Sequence, residues 1–91
     1  MNTFERAFKF WGKERQMLQA IEEMSELTKE ILKNINRQKD NIDELVEETA
    51  DVEIMLEQLK LCYNITNRVA EYKISKLKEI DQRLDELENR K

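Results

Sequence analysis

The sequence predicts an all-α fold, a bundle of about three long helices with a short helix in front of them. The chain of 91 residues has one glycine and no proline, and 40% of its residues are charged. Its apolar residues recur three and four positions apart, which is the period of a helix with one solvated face. No shift in composition marks a linker, so we expect residues 1–91 to form a single domain.

An aromatic stretch and the apolar period that follows it predict the first two helices. Residues 3–11 indicate a short helix that packs onto the rest through its aromatic side chains, and Gly12 indicates a break. A second helix is expected from about residue 13 to 35. The aromatic residues are Phe4, Phe8, Phe10 and Trp11, and the inner face predicted for the second helix is Leu18, Ile21, Ser25, Thr28, Ile31, Leu32 and Ile35.

The second half of the chain predicts two further helices. After the polar segment 36–41, Asn41 and Glu44 resemble a capping box that starts a third helix, which is expected to end near Tyr63. A last helix from about 67 to 88 carries a heptad-like apolar series, and its charged tail is expected to fray. The inner face predicted for the third helix is Leu45, Thr49, Val52, Leu56 and Leu59, and the series of the last helix is Ala70, Lys73, Leu77, Ile80, Leu84 and Leu87.

Composition narrows the possible functions. Sixteen Lys and Arg against 20 Asp and Glu give a formal charge of −4, which argues against nucleic acid as the main partner. No membrane-length apolar run or secretory leader is visible, and the single cysteine, Cys62, suits a reducing compartment, so we expect a cytoplasmic protein with no membrane partner. A helical chain of this size buries little surface by itself, which favours a homodimer or homotetramer.

Two acidic blocks carry the most information about function. Glu23 and Glu26 lie three apart in the second predicted helix, and Glu48 and Asp51 lie three apart in the third. Carboxylates at this spacing project from one side of a helix, so two packed helices can direct all four at one hard cation such as Mg²⁺. The same spacing also arises by chance on a solvated, acid-rich helix face, and that alternative stays open.

The surroundings of these acids favour a metal site. They lie beside the predicted apolar faces, where a carboxylate is costly unless it is hydrogen-bonded, paired or bound to a metal. Small residues stand among them and allow two helices to approach closely: Ser25 in one helix, Thr49 and Ala50 in the other. The chain has no histidine, which excludes histidine-based acid–base chemistry, and a single cysteine without a histidine argues against a thiol nucleophile.

The same blocks resemble a known family. Trp11-Gly12-Lys13, Gln16 and the segment 22–29 look like the first half of MazG-like nucleotide pyrophosphohydrolases, and the segment 47–54 looks like the second half. The family pattern of Glu-x-x-Glu, a spacer and Glu-x-x-Asp falls here on Glu23, Glu26, Glu48 and Asp51. The basic region 73–83 resembles the last helix of the phage and Gram-positive members.

This resemblance implies an all-α oligomer that uses Mg²⁺, with Mn²⁺ as a possible substitute, to hydrolyse a nucleoside triphosphate to the monophosphate and pyrophosphate. The four acids would be the metal ligands and the catalytic residues. Water, oriented or deprotonated by one of these carboxylates, would attack the α-phosphorus. Which acid acts as the base, and which base and sugar are preferred, stay open.

Other residues are candidates for substrate contacts. Lys73, Lys76 and Arg83 fall near one face of the last helix and are candidates to bind the phosphates; alternatively, their stems cover the core while their charges stay in water. Trp11 is a candidate to stack on the nucleobase, although an aromatic residue in this stretch is more often part of the core. Gln16 is a candidate to bind a base edge, although a Gln on a helix surface needs no such role.

A second interpretation is a helical interaction module without catalytic activity, or an inactive relative of the enzymes. Its last helix would pair with a partner through the heptad-like series, and its acids would be surface charge. The two interpretations differ in what the isosteric amides at Glu23 or Asp51 should do. For the enzyme, these substitutions should abolish metal binding. For the module, they should change little or slightly raise the stability.

Overall fold

The computed structural model describes residues 1–37 and 40–90. They form four α-helices and contain no strand, which confirms the predicted all-α class. Gln38 and Lys39, in the predicted connection between the second and third helices, and Lys91 at the predicted tail lie outside the described residues. In chain order the helices are α1 (Thr3–Trp11), α2 (Lys13–Arg37), α3 (Ile42–Tyr63) and α4 (Thr66–Asn89).

Local signals fix both ends of α1. Asn2 caps the helix: its side chain accepts a hydrogen bond from the Glu5 backbone at 2.8 Å, and the Glu5 side chain accepts one from the Asn2 backbone at 3.3 Å. The helix ends at Gly12, whose φ of 85° is costly for any residue with a Cβ. The predicted break at Gly12 is confirmed.

Helices α2 and α3 form an antiparallel hairpin. The start of α2 meets the end of α3, where the Lys13 ammonium lies 4.1 Å from the centre of the Tyr63 ring. The end of α2 meets the start of α3 through Asn41, described below. Asn64, in the left-handed conformation at φ 54°, ends α3 where the sequence predicts. The apolar side chains buried between the described helices are Ala20, Val52 and Met55.

The predicted inner face of α2 is wrong in phase, and that of α3 is wrong only in part. Of the face predicted for α2, Leu18, Ile21 and Ile35 are 59%, 60% and 64% exposed. The stripe that faces α3 instead contains Gln16, Ala20, Glu23, Leu27 and Glu30, which are buried or half-buried. A single chain has too few helices to cover both sides of α2, so its apolar side stays in water.

On α3 the error is about one position. Val52 is buried as predicted, but Met55 is buried in place of Leu56, which is 42% exposed. Thr49 and Ala50 are exposed, as is Ser25 on α2, so the small residues do not mediate the approach of the two helices. Ala20 does so instead, since it is 2% exposed between them.

The α1 aromatic residues also depart from the expectation of a packed cluster. The Phe4 backbone is tied to α3, because the buried Gln58 side chain donates a hydrogen bond to the Phe4 carbonyl at 3.0 Å. Phe10 is 80% exposed, and Trp11, which meets its ring edge-on at a centroid distance of 5.3 Å, is half-exposed. A helix of two and a half turns with aromatic residues on several sides cannot bury them all against one hairpin.

Helix α4 projects from the rest of the chain. Among the described residues it approaches only α3, and none of its residues is buried. The radius of gyration, 17.2 Å, exceeds the value of about 12 Å that a compact chain of this length has. The helix runs to Asn89, and the fraying of its charged tail stays a prediction. No helix in the described ranges is long and apolar enough to cross a membrane.

The side chain of Asn41 joins α2 to α3 rather than capping α3. It makes no capping hydrogen bond, so the predicted capping box with Glu44 is wrong. Its amide nitrogen donates to the Glu30 carbonyl at 2.9 Å and to the Glu30 carboxylate at 3.2 Å, and its oxygen accepts from Asn34 at 3.0 Å. Because Asn41 is 2% exposed, these partners replace water that the amide has lost.

We expect Asn41→Ala to lower the free energy of unfolding by about 1–3 kcal/mol, because the substitution removes the three hydrogen bonds that join the start of α3 to Glu30 and Asn34 of α2. Urea denaturation at a fixed protein concentration measures this loss. Asn36→Ala, which changes an exposed residue of the same type on α2, is the control and should change the stability little. Equal effects of both substitutions would show that the buried amide does not hold the hairpin together.

Candidate metal centre

Three carboxylates converge where α2 packs against α3. Glu23 on α2 and Glu48 and Asp51 on α3 each offer one oxygen, and these oxygens lie within 4.8 Å of one another. All three residues are half-buried. The convergence follows from the hairpin, because Glu23 lies in the stripe of α2 that faces α3, and Glu48 and Asp51 precede Val52 on the inner side of α3.

Glu48 is the most strongly perturbed member of this cluster. Its Oε2 atom is shut off from solvent and has no hydrogen-bond partner among the described residues. Desolvation raises the pKa of the Glu48 carboxyl, and repulsion from Asp51, Glu23, Glu47 and Glu26 raises it further. An ionised oxygen in this position is unfavourable unless a proton or a cation joins it.

The fourth predicted ligand, Glu26, stands slightly apart. Its charge contributes to the raised pKa of Glu48, so it lies within electrostatic reach of the cluster. It is not among the three converging oxygens, and its Oε1 atom lies 3.7 Å from the Lys29 ammonium. Both side chains of this pair are largely exposed, so the pair is weak and does not fix Glu26.

Gln19 is a member of the site that the sequence analysis missed. Its amide nitrogen donates a 2.8 Å hydrogen bond to Glu23 Oε1, one turn along α2. This bond holds the Glu23 carboxylate, as partners of metal-ligating carboxylates commonly do. The signal was present in the spacing of four between Gln19 and Glu23, which is the separation of side-chain pairs on a helix.

The donor set fits a hard divalent cation. Mg²⁺ prefers carboxylate and water oxygens, keeps several waters, and bridges to phosphates. Glu23, Glu48 and Asp51 supply oxygens from two helices, and the orphaned Glu48 Oε2 has no partner from the protein itself. The half-buried position leaves one side open for water and phosphate. The chain thus offers ligands of the right type, in number and exposure suited to this ion.

The predicted phosphate-binding cations are not part of this cluster in the single chain. Lys73 lines a cleft between α4 and α3 together with Glu53 and Glu57. Glu57 lies nine residues beyond Glu48, or about two and a half turns, so this cleft is on the opposite side of α3. The other two, Lys76 and Arg83, are exposed further along α4.

The candidate base contacts also lie away from the acids. Trp11 borders an open groove on α1 with Arg6 and Phe10. Gln16 is 7% exposed against the hairpin, not on the surface where the sequence analysis placed it. Glu23 follows Gln16 by seven residues, which is about 10 Å along α2. Their contacts with a base stay predictions.

We expect Glu48→Gln to raise the melting temperature at neutral pH when no divalent ion is present. The amide has the shape of the carboxylate but neither its charge nor its desolvation penalty. As the pH falls through the raised pKa of Glu48, protonation relieves the same penalty in the wild type, so the difference between the two chains should shrink. Thermal unfolding at neutral and at acid pH tests this, with the exposed Glu53→Gln as control; a lower melting temperature for Glu48→Gln at neutral pH would contradict it.

We expect Mg²⁺ to reverse this order. The ion binds only the folded carboxylate cluster, so it should raise the melting temperature of the wild type and of Glu53→Gln. Glu48→Gln should respond at least about tenfold more weakly, measured as the Mg²⁺ concentration at half the full shift. An equal response of all three chains would place the ion elsewhere on this acidic surface.

Comparisons with known proteins identify no relative of this chain. The resemblance of the two acidic blocks to the MazG-like pattern rests on their residues alone. No family model, curated protein or solved structure matches this chain.

Proposed function

We propose that this protein is a Mg²⁺-dependent nucleoside triphosphate pyrophosphohydrolase of the MazG-like type. The observation that supports it best is the convergence of Glu23, Glu48 and Asp51 with one buried, unpartnered oxygen on Glu48. Three of the four residues that the sequence pattern singles out thus meet from two helices that are far apart along the chain. Chance spacing on a solvated face does not require such a meeting.

The residues of the cluster divide the work of the reaction. Glu23, held by Gln19, and Asp51 and Glu48 would hold the ion, which when bound offsets the charge of a triphosphate and activates water. The new bond joins a water oxygen to the α-phosphorus, the bond from this phosphorus to the bridging oxygen breaks, and pyrophosphate leaves. One of the carboxylates of the cluster would take the proton of the water.

The cations for the triphosphate would come from an oligomer. Lys73, Lys76 and Arg83 cannot face the cluster of their own chain from α4 as it stands, so a phosphate role for them requires a second subunit. This requirement agrees with the proposed homodimer or homotetramer. Lys73 is the candidate that we favour, because it interrupts the apolar series of α4.

The alternative, a non-catalytic interaction module, is supported by one specific observation. The apolar series of α4 is exposed along its length, as expected for a surface that binds a partner. Such a module has no use for the carboxylates, so replacing one of them with an amide should leave its behaviour unchanged or improve its stability. The carboxylate variants therefore separate the two functions.

We expect the wild type with Mg²⁺ to convert at least one nucleoside triphosphate to its monophosphate and pyrophosphate, and Asp51→Asn to be slower by about 100-fold or more. ³¹P NMR of a mixed pool of ribo- and deoxynucleoside triphosphates measures both products and identifies the substrate that disappears. Asp43→Asn changes an exposed acid of the same helix and is the matched control.

Chelation of the metal should stop the reaction in the wild type and in the control. No Mg²⁺-dependent turnover of any nucleotide by the wild type would reject the enzyme and favour the interaction module. Turnover that Asp51→Asn retains would reject this cluster as the site. Release of phosphate in place of pyrophosphate would reject attack at the α-phosphorus.

A further inference from the structure

The C-terminal half of α4 carries an apolar stripe that no described part of the chain covers. Leu77, Ile80, Leu84 and Leu87 recur three and four positions apart and are 44–59% exposed. With this spacing, Leu77 and Leu84 are the a residues and Ile80 and Leu87 the d residues of two heptads, which together form the seam of a coiled coil. A stripe of this kind on a straight helix is matched in shape by another helix.

Charges of one sign line each side of this seam. Lys76, Arg83 and Arg90 occupy the g positions, and Asp81 and Glu88 occupy the e positions. All five are exposed. In the single chain Lys76 meets only Glu79, at 3.3 Å with both side chains largely in water, so this pair is weak. Arg83, Asp81 and Glu88 form no ion pair within the described residues.

The two possible orientations of a partner helix have opposite electrostatics. In a parallel pair, a g residue faces the e residue of the partner's next heptad, so Lys76 faces Asp81 and Arg83 faces Glu88 across the seam, twice by symmetry. In an antiparallel pair, g faces g and e faces e, which sets basic against basic and acidic against acidic residues. One sequence is therefore complementary to a second copy of itself in the parallel orientation only.

We propose that α4 pairs in parallel and in register with α4 of a second copy of this chain, along a seam that begins at Leu77. The start of the seam follows from the contacts of α4 within its own chain. Val69 and Lys73, at the beginning of the helix, line the cleft with α3, and none of the α4 residues beyond them lines it. The occupant is a second copy because the complementary charges are on the chain itself.

This pairing does not depend on the proposed enzymatic activity. It gives Lys76 and Arg83 ion-pair partners on the second copy in place of phosphate, and it leaves Lys73 free for a substrate role. The two proposals fail separately, since one is measured as turnover of nucleotides and the other as association of chains.

Reversal of one charge tests the orientation. Arg83→Glu should weaken self-association of the full chain about five- to tenfold, because two attractive pairs per dimer become repulsive against Glu88. The double variant Arg83→Glu with Glu88→Arg restores opposite charges and should return the affinity toward that of the wild type. Lys78→Glu makes the same change of charge on the outer side of α4 and is the control. Sedimentation equilibrium measures the association, and circular dichroism checks that helix content is unchanged.

The antiparallel orientation predicts no such loss. There Arg83 faces Arg83 of the second copy when the seam overlaps fully, so Arg83→Glu replaces a repulsive basic pair with a repulsive acidic one and changes association little. Stronger association, no response to the reversal, or a monomeric wild type at high concentration would overturn the proposal.

Disulfide trapping tests the register in a Cys62→Ser background, which removes the single native thiol. Leu77→Cys and Leu87→Cys, prepared as separate chains, should each form a disulfide-linked dimer on mild oxidation, because parallel helices in register bring every seam residue beside its own copy. Gln82→Cys, on the outer side, should not. Since residues 77 and 87 lie about 15 Å apart along the helix, an antiparallel pair can join only one of them to itself. Linkage at one position alone, or at neither, would overturn the proposal.

Discussion

The packing of α2 against α3 is the constraint on which the rest of the structure depends. It buries few apolar side chains, so much of its specificity comes from polar groups: Asn41 joins one end of the hairpin, and Gln58 ties α1 to the other. These buried amides have partners, and the bonds of Asn41 favour one register of α2 and α3. That register brings Glu23 beside Glu48 and Asp51. The hairpin therefore holds together three carboxylates that form no ion pair within the described residues.

The helices and their order are predictable from the sequence, whereas their packing is not. Gly12 and Asn64 end their helices through backbone conformation, a local property that a single sequence carries. The inner side of α2 depends on which neighbour α2 has. Its most apolar side contains Leu18, Ile21 and Ile35, and sequence reasoning assigns that side to the core because burial of apolar surface dominates folding. In the single chain the neighbouring α3 instead takes the adjacent side, which contains Gln16 and Glu23.

The meeting of the acids is better predicted than the core for the same reason. An acidic pair with spacing of three stays on one side of its helix wherever the core lies, so the prediction of Glu23, Glu48 and Asp51 needs only that α2 and α3 pack with those sides together. To predict the phosphate contacts, the position of α4 relative to α3 must also be known. Lys73 lies beyond a turn whose angle no local pattern specifies, and in this chain that turn carries it to the far side of α3. Gln19 was not predicted because it is neutral, and a search for spaced acids does not find the neutral residue that hydrogen-bonds to one of them.

Pairing of two chains through the exposed apolar surface of α4 would affect the exposed apolar surface of α2. A seam of two heptads is short, and helices of such length associate weakly without further contacts. Parallel pairing of α4 would bring both hairpins to the same end of the seam. The exposed leucine and isoleucine side chains of the two α2 helices would then lie close to one another. Each surface then strengthens the other, because closing the second contact between chains already joined costs less entropy than the first. Charges on α4 would set the orientation of this pairing.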